Sequence, residues 1–380
     1  MLLTILIFLL VLSVLVLVHE LGHYLVAKRL GVKVEEFGFG FPPRLIGKKI
    51  GETLYSINLL PIGGFVKLYG EDAAGGGRVQ PTRNNQPIRQ AQDLQQETKD
   101  TKRAFFSRPV WQRGSIVVAG VVMNFLLAVV LLTYIAHVQG LPQLGHDIVI
   151  ASVAKQSPAE QAGLKSGDIV TAIDGQKITS AEQLVAYTKQ HLGQVIRLQL
   201  LTVNHKSITI NVTPRLHAPA NQGAMGIALG ENIIYHKYPL LQAPYAGLKE
   251  AISETTLIAQ GLVTAVAQTV STHHAPAGLA GPVGIAQLTG EAAQQGVDTV
   301  LRLVALLSLN LALLNILPIP ALDGGRFFFI LIEGVTRRKV PDKFEGYVHA
   351  AGMAVLLALI VLITLHDFIR IFSGQPLIPK

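Results

Sequence analysis

The sequence predicts a polytopic α-helical membrane protein with four spans, a membrane-associated β-hairpin or small sheet, and an α+β domain inserted outside the membrane between the second and third spans. Three observations predict it. Half of the 380 residues are hydrophobic and only 15% are charged, against about 25% charged in an average soluble domain. Four stretches are long and apolar enough to cross the roughly 30 Å hydrocarbon layer. Between the second and third of these lies a run of short strand patterns and an Asp-Gly turn that reads as a separate folded unit. Cysteine is absent, which excludes disulfides, iron–sulfur clusters, Cys-ligated zinc and a thiol nucleophile. Any metal site must draw on His, Asp or Glu.

The first stretch, 1–18, has no charged side chain and continues into His19-Glu20-Leu21-Gly22-His23 before reaching Lys28. It lacks a basic start and a small-residue cleavage site, so it reads as a retained span near 1–27 rather than a signal peptide. Residues 115–136, 303–322 and 346–365 are likewise free of Lys, Arg, Asp and Glu. A weaker stretch, 251–270, contains Glu254 and several Thr and predicts a surface-lying amphipathic helix. Residues 28–114 hold 15 Lys+Arg against 8 Asp+Glu, 137–300 hold 9 against 10, and 337–345 hold four against two. The positive-inside rule then assigns the first and third connections to the cytoplasm, and both termini and 137–300 to the outside of the inner (cytoplasmic) membrane. Topology thus accounts for the net charge of +8, and nucleic acid is not an expected partner. The chain divides into a first membrane half (1–140), the inserted domain (141–216), an extracytoplasmic connector (217–300) and a second membrane half (301–380).

Within the first connection, residues 50–70 alternate apolar and polar side chains around Pro61-Ile62-Gly63-Gly64, predicting a β-hairpin or small sheet. The Phe37–Pro43 stretch (FGFGFPP) is too apolar for an ordinary loop and is expected to dip into the membrane interface. Residues 71–103 read as a polar linker. After the second span come strand-like Asp147–Val153, the string SPAEQAGLKSGD at 157–168, strand-like Ile169–Ile173 and an Asp174-Gly175 turn. A helix near 180–191 and strands near 195–201 and 207–213 complete the pattern. This segment resembles a PDZ domain of the bacterial protease-associated type, present once, since its Gly-Asp…Asp-Gly signature does not recur in 216–300. The resemblance implies capture of an extended peptide as an added strand.

The chemistry is carried by His19-Glu20-x-x-His23. On a helix, positions i and i+4 share one face, so both imidazoles reach one ion while Glu20 stands beside them to take a proton from water. Ionisable groups within a membrane helix are costly and usually functional. The alternative is that the helix ends at His19 and the motif lies among headgroups, but nine residues separate His19 from Lys28, about 13 Å of helix. A catalytic zinc takes three protein ligands. Asp323, in Leu322-Asp323-Gly324-Gly325-Arg326, is the candidate third ligand, with helix capping as a compatible second role; His349 and Glu333 are rivals without a matching motif. Pro318 and Pro320 break a helix at membrane depth. Asn310 and Asn315 either donate to a substrate carbonyl there or bond between helices. For Asn124 a packing role is expected.

HELGH at 19–23, FGFGFPP at 37–43, NLLPIGGFVKLYGE at 58–71, GPVGI at 281–285 and NILPIPALDGGR at 315–326 together resemble the site-2 protease family. The inserted PDZ points to its bacterial regulator of sigma-E protease branch. The resemblance implies an intramembrane zinc endopeptidase with one Zn2+, bound at His19, His23 and Asp323, and Glu20 as catalytic base. It also implies that Asn310 and Asn315 hold substrate, that the 50–70 hairpin pairs with it as a strand, and that the substrates are single-span membrane proteins in the lipid bilayer. Two departures stand out: one PDZ domain instead of two, and Val121 where the AGPxxNF string has proline. The competing classes are a zinc-free scaffold presenting the PDZ domain, a transporter, and a water-facing peptidase merely anchored in the bilayer.

Overall fold

The computed structural model describes residues 2–71, 101–202, 206–219, 222–272 and 280–373; most of the expected 71–103 linker, 72–100, lies outside the described residues. In chain order the first elements are α1 (Leu2–Arg29), β1 (Val34–Ile50), β2 (Thr53–Leu68), a 3-10 turn at Phe105–Ser107 and α2 (Val110–Val138). There follow β3 (Leu141–Val153), α3 (Pro158–Gln161), β4 (Ile169–Ile173), β5 (Gln176–Lys177), α4 (Ala181–Gln190), β6 (Ile196–Leu201), β7 (Ser207–Val212) and β8 (Ile227–His236). The remainder is helical: α5 (Ala243–Thr272), α6 (Pro282–Gln295), α7 (Val297–Ile316), α8 (Asp323–Thr336) and α9 (Asp342–Phe372). The chain forms two compact units, Met1–His137 with Pro239–Lys380, and Val138–Tyr238.

In the first unit, α1, α2, α7 and α9 are long and apolar enough to cross a membrane. Helix α1 is apolar all round yet buries only a stripe: Val11, Leu15, His19, His23 and Ala27, each four residues on, with Ser13 and Gly22 beside it. Helix α2 answers with Ile116, Gly120, Asn124, Ala128, Leu132 and Ala136. Rows spaced by four are the ridges along which helices interdigitate, and here both imidazoles sit on such a ridge. Val11, Leu15 and Val304 form a core that joins α1, α2 and α7. Most of α9 keeps its apolar side chains exposed, Val355 by 69% and Leu362 by 63%, as a lipid-facing helix requires. Trp111 and Tyr134 are exposed near opposite ends of α2, about 35 Å apart at 1.5 Å per residue, the spacing of two interfacial aromatic belts.

Two expectations change here. The 50–70 segment is not a hairpin by itself: its turn is at Gly51-Glu52, and the partner is β1. Phe37–Pro43 accordingly lies within strand β1, which pairs with β2. Residues 36–39 face 64–67 along one edge and 54–57 along the other, so both strands fold back and 64–68 is left at an outer edge. Pro61-Ile62-Gly63-Gly64 runs against α1: Ser13 Oγ donates to the Pro61 carbonyl at 2.9 Å, and the space beside Gly63, at φ +80°, is taken by Val16. The expected 303–322 span stops as helix at Ile316, where Pro318 and Pro320 remove the donors that would continue it. The expected 251–270 helix is part of the longer α5.

The second unit is an α+β domain with strand order β7-β6-β4-β3-β8 and β5 beside β4. Strand β6 alternates buried and exposed residues, and Ile150, Ile173, Leu184, Ile196, Leu198 and Leu200 are fully buried in its core. Ser157 and Ser180 cap α3 and α4 through their hydroxyls. The unit runs past the expected 141–216 to Tyr238, because β8 supplies the edge strand that pairs with β3.

Candidate metal centre

Helix α1 turns both imidazoles of the motif to one point, with the Nε2 atoms of His19 and His23 3.2 Å apart. Each ring is held by its other nitrogen. His23 Nδ1–H donates to the Ile116 carbonyl at 2.7 Å, which leaves Nε2 as its ligand atom. His19 Nδ1 lies 3.3 Å from the carboxamide of the fully buried Asn124. The nearer carboxamide atom is Nδ2, and Oδ1 of Asn124 is buried without a partner among the described residues. With a metal on Nε2, Nδ1 of His19 would carry the hydrogen and the carboxamide would turn its oxygen to it. Asn124 therefore belongs to the site, not only to helix packing. Gly120 on α2 lets the helices close: a Cβ there would stand 2.5 Å from His23 Nε2 and 2.7 Å from His19 Nε2.

The third group arrives from the other end of the chain. Asp323 Oδ2 is 2.9 Å from His19 Nε2 and 3.2 Å from His23 Nε2. Ligands at about 2.0–2.1 Å from a tetrahedral zinc lie about 3.3 Å from one another, so the three atoms fit that ion. The residue preceding α8 is Leu322, with no side-chain cap bond; the Asp323 carboxylate thus faces the imidazoles, and the capping role is not adopted. Residues 317–322 carry it there. Ala321 adopts φ +76°, a left-handed conformation costly for any residue with a Cβ, and its N–H donates to Nδ1 of buried His349 at 3.0 Å. Gly324 and Gly325 let the carbonyls of Leu317 and Ile319 approach where a Cβ would intrude. Of the rival ligands, His349 braces this loop and Glu333 pairs with Arg113 at 2.9 Å.

Glu20 lines a cavity of about 210 Å³ together with His23 and Asp323. Its Oε2 accepts the Val66 N–H at 3.1 Å, so the outer edge of β2 runs directly past the cluster. Arg326 and Glu71, an ion pair, line the same cavity. Asn310 and Asn315 lie half-buried on α7 and are not among the residues lining it. From the sequence alone, Gly120, Glu71 and Arg326 have no individual role, Asn124 is expected only to pack and His349 is only a rival ligand. For Asn124 a signal existed: a carboxamide in an apolar helix carries the same desolvation cost that singled out the histidines.

A helix-borne His-Glu-x-x-His motif joined to a remote carboxylate, among helices able to cross a membrane, defines the class of membrane zinc metalloproteases. The chain belongs to peptidase family M50, whose profile matches residues 7–359. It is similar to the zinc metalloprotease RasP of Bacillus licheniformis, at 31% identity over 97% of this chain and 99% of that one. A putative zinc metalloprotease of Clostridium perfringens is 33% identical over 95% and 97%. The regulator of sigma-W protease RasP of Bacillus subtilis is 30% identical over 97% and 99%. Among solved structures, the PDZ domain of an SdrC-like protein from Listeria monocytogenes covers 23% of this chain and 93% of its own at 20% identity, with a TM-score of 0.20. The protein is thus a multi-pass, zinc-dependent metalloprotease.

Proposed function

We propose that this protease cleaves single-span membrane proteins within or near their transmembrane segments, as in regulated intramembrane proteolysis of anti-sigma factors or of signal-peptide remnants. The observation that carries the reading is the meeting of His19, His23 and Asp323 beside Glu20, on a membrane helix about 15 Å from its Arg29 end, with a strand edge alongside. His19, His23 and Asp323 hold the metal; zinc, when bound, polarises the scissile carbonyl and lowers the pKa of water to about 7. Glu20 takes the proton from the attacking water and passes it to the leaving nitrogen; its bond from Val66 N–H aims the carboxylate. A substrate helix has no free backbone groups, so it must unwind to be cut, and unpaired groups in lipid cost several kcal/mol. The outer edge of β2 takes up those groups by strand addition. Asn310 and Asn315 hold the substrate next to the broken α7 end.

In this reading the protein lies in the inner membrane, the Val138–Tyr238 unit is a PDZ domain on the extracytoplasmic side, and the free edge of β8 receives a peptide or unfolded segment of the substrate. The test is proteolysis of single-span substrates by purified protein in detergent, with and without a zinc chelator. Glu20→Gln should keep its zinc and lose activity by at least about a hundredfold, the contribution of a general base. Undiminished turnover by that variant, or by protein stripped of zinc, would reject the assignment.

A further inference from the structure

Two side chains in the metal cavity have no part in the chemistry so far. Arg326 stands three residues after Asp323 on α8, hence on the same helix face, and pairs with Oε1 of Glu71. Both side chains are largely buried, 20% and 13% exposed, and the guanidinium lies over the Phe105 ring, 5.9 Å from its centroid. The other oxygen of Glu71 accepts the Leu68 N–H at 3.3 Å. In a strand, residues two apart present their N–H groups to the same side. Val66 and Leu68 therefore both point to the outer edge of β2, and both are engaged by carboxylates of the cavity: Val66 by Glu20 and Leu68 by Glu71. An exposed edge accepts any strand in several registers unless something blocks the slip.

We infer that Glu71, held by Arg326, is a register stop: it closes the pairing edge at Leu68 and so decides which bond of an added substrate strand reaches Glu20. The inference rests on the strand-addition reading above. With the stop in place, a substrate sliding toward Leu68 finds that donor already taken by a carboxylate, and its own carbonyl meets negative charge. Without the stop, the ladder extends by one pair, and the slip allowed is two residues, because a slip of one would turn every side chain to the other face. Glu71 and Arg326 are positioning residues; neither touches the reacting atoms.

The experiment is cleavage of a single-span membrane substrate by the full-length zinc-loaded protein in detergent, with product masses read by mass spectrometry. Wild-type protein should cut one principal bond. Glu71→Ala should add products displaced by about two residues with bound zinc unchanged, and Arg326→Gln, which releases Glu71, should do the same. Arg326→Lys, whose ammonium still pairs with Glu71, should cut at the wild-type bond. The inference is overturned if Glu71→Ala and Arg326→Gln cut only at the wild-type bond, or if Arg326→Lys spreads its cuts as widely as Arg326→Gln. If Glu71→Ala loses its zinc, Arg326→Gln alone decides by the same criterion. Absence of zinc-dependent cleavage by wild-type protein would instead strike the strand-addition reading itself.

Discussion

At Gly120 the absence of a side chain is what allows a metal site to exist. The two imidazoles occupy the space a Cβ would need, and interiors packed at crystal-like density have no slack to absorb a methyl group there. Gly120→Ala should therefore push both ring nitrogens off the cluster. The expected outcome is loss of most bound zinc, measured by metal analysis of purified protein, with the helical circular dichroism signal retained; full zinc content in that variant would refute the packing account. Gly22, one turn along the other helix, faces the Ala119 carbonyl in the same way. Nothing in the sequence marks either glycine, since HELGH is recognised by its ionisable residues and a helical glycine looks like a mere loss of propensity.

Among the elements, the Asp323 loop and the hairpin tip show how local strain and charge are held. Ala321 keeps its left-handed backbone because His349 on α9 accepts its N–H, and Gly352, close to His349 on α9, packs against Pro320. Partners of this kind around a ligand are worth about 10–100-fold in metal affinity. His349→Ala is expected to weaken zinc by about that factor in a competition titration with a chelator, and unchanged affinity would refute the bracing role. At the tip of β1–β2, Glu52 receives two hydrogen bonds at 2.7 Å from Arg103 and one at 3.1 Å from Lys28. The bond from Arg103, above all, lowers its pKa to about 2. A depressed folded-state value means the stabilisation is complete above the unfolded carboxylate range and is lost as pH falls from about 4.5 toward 2. Partial exposure makes the effect small. Protection of the hairpin amides, taken relative to their intrinsic exchange rates at each pH, should fall on acidification through that window in wild-type protein and lose that dependence in Glu52→Gln; an identical pH response in the variant would exclude the pair as its source.

For the whole molecule, an ion held by His19 and Asp323 would join segments 304 residues apart. Such a ligand stabilises the folded state by mass action, about 2.7 kcal/mol when free zinc is a hundred times its Kd. Chelation should lower the thermal midpoint of wild-type protein in detergent and leave that of His23→Ala nearly unmoved, as followed by intrinsic fluorescence; equal shifts in both would show that the chelator acts elsewhere. Much of this molecule was legible beforehand. The four spans follow from apolar length, and the motif from a spacing of four. Asp323 follows from a carboxylate standing beside a broken apolar run, where it needs a reason to be buried. The 50–70 hairpin or small sheet was read without its partner β1, because alternation identifies a strand but not the strand it pairs with. The β8 strand was missed because it contributes to its sheet only through a partner some 80 residues earlier in the chain.

By itself, the amino-acid sequence determined which segments enter the membrane, which residues are suited to bind zinc and which can take a proton. Those properties are local: hydropathy, helical period and side-chain chemistry act over a few turns of chain. Tertiary structure alone decided that β1 completes the sheet, that Asn124 and Ile116 aim the imidazoles, and that Glu71 and Arg326 meet in the cavity. Each of these depends on the register and close approach of segments far apart in sequence, which packing sets and no local pattern encodes.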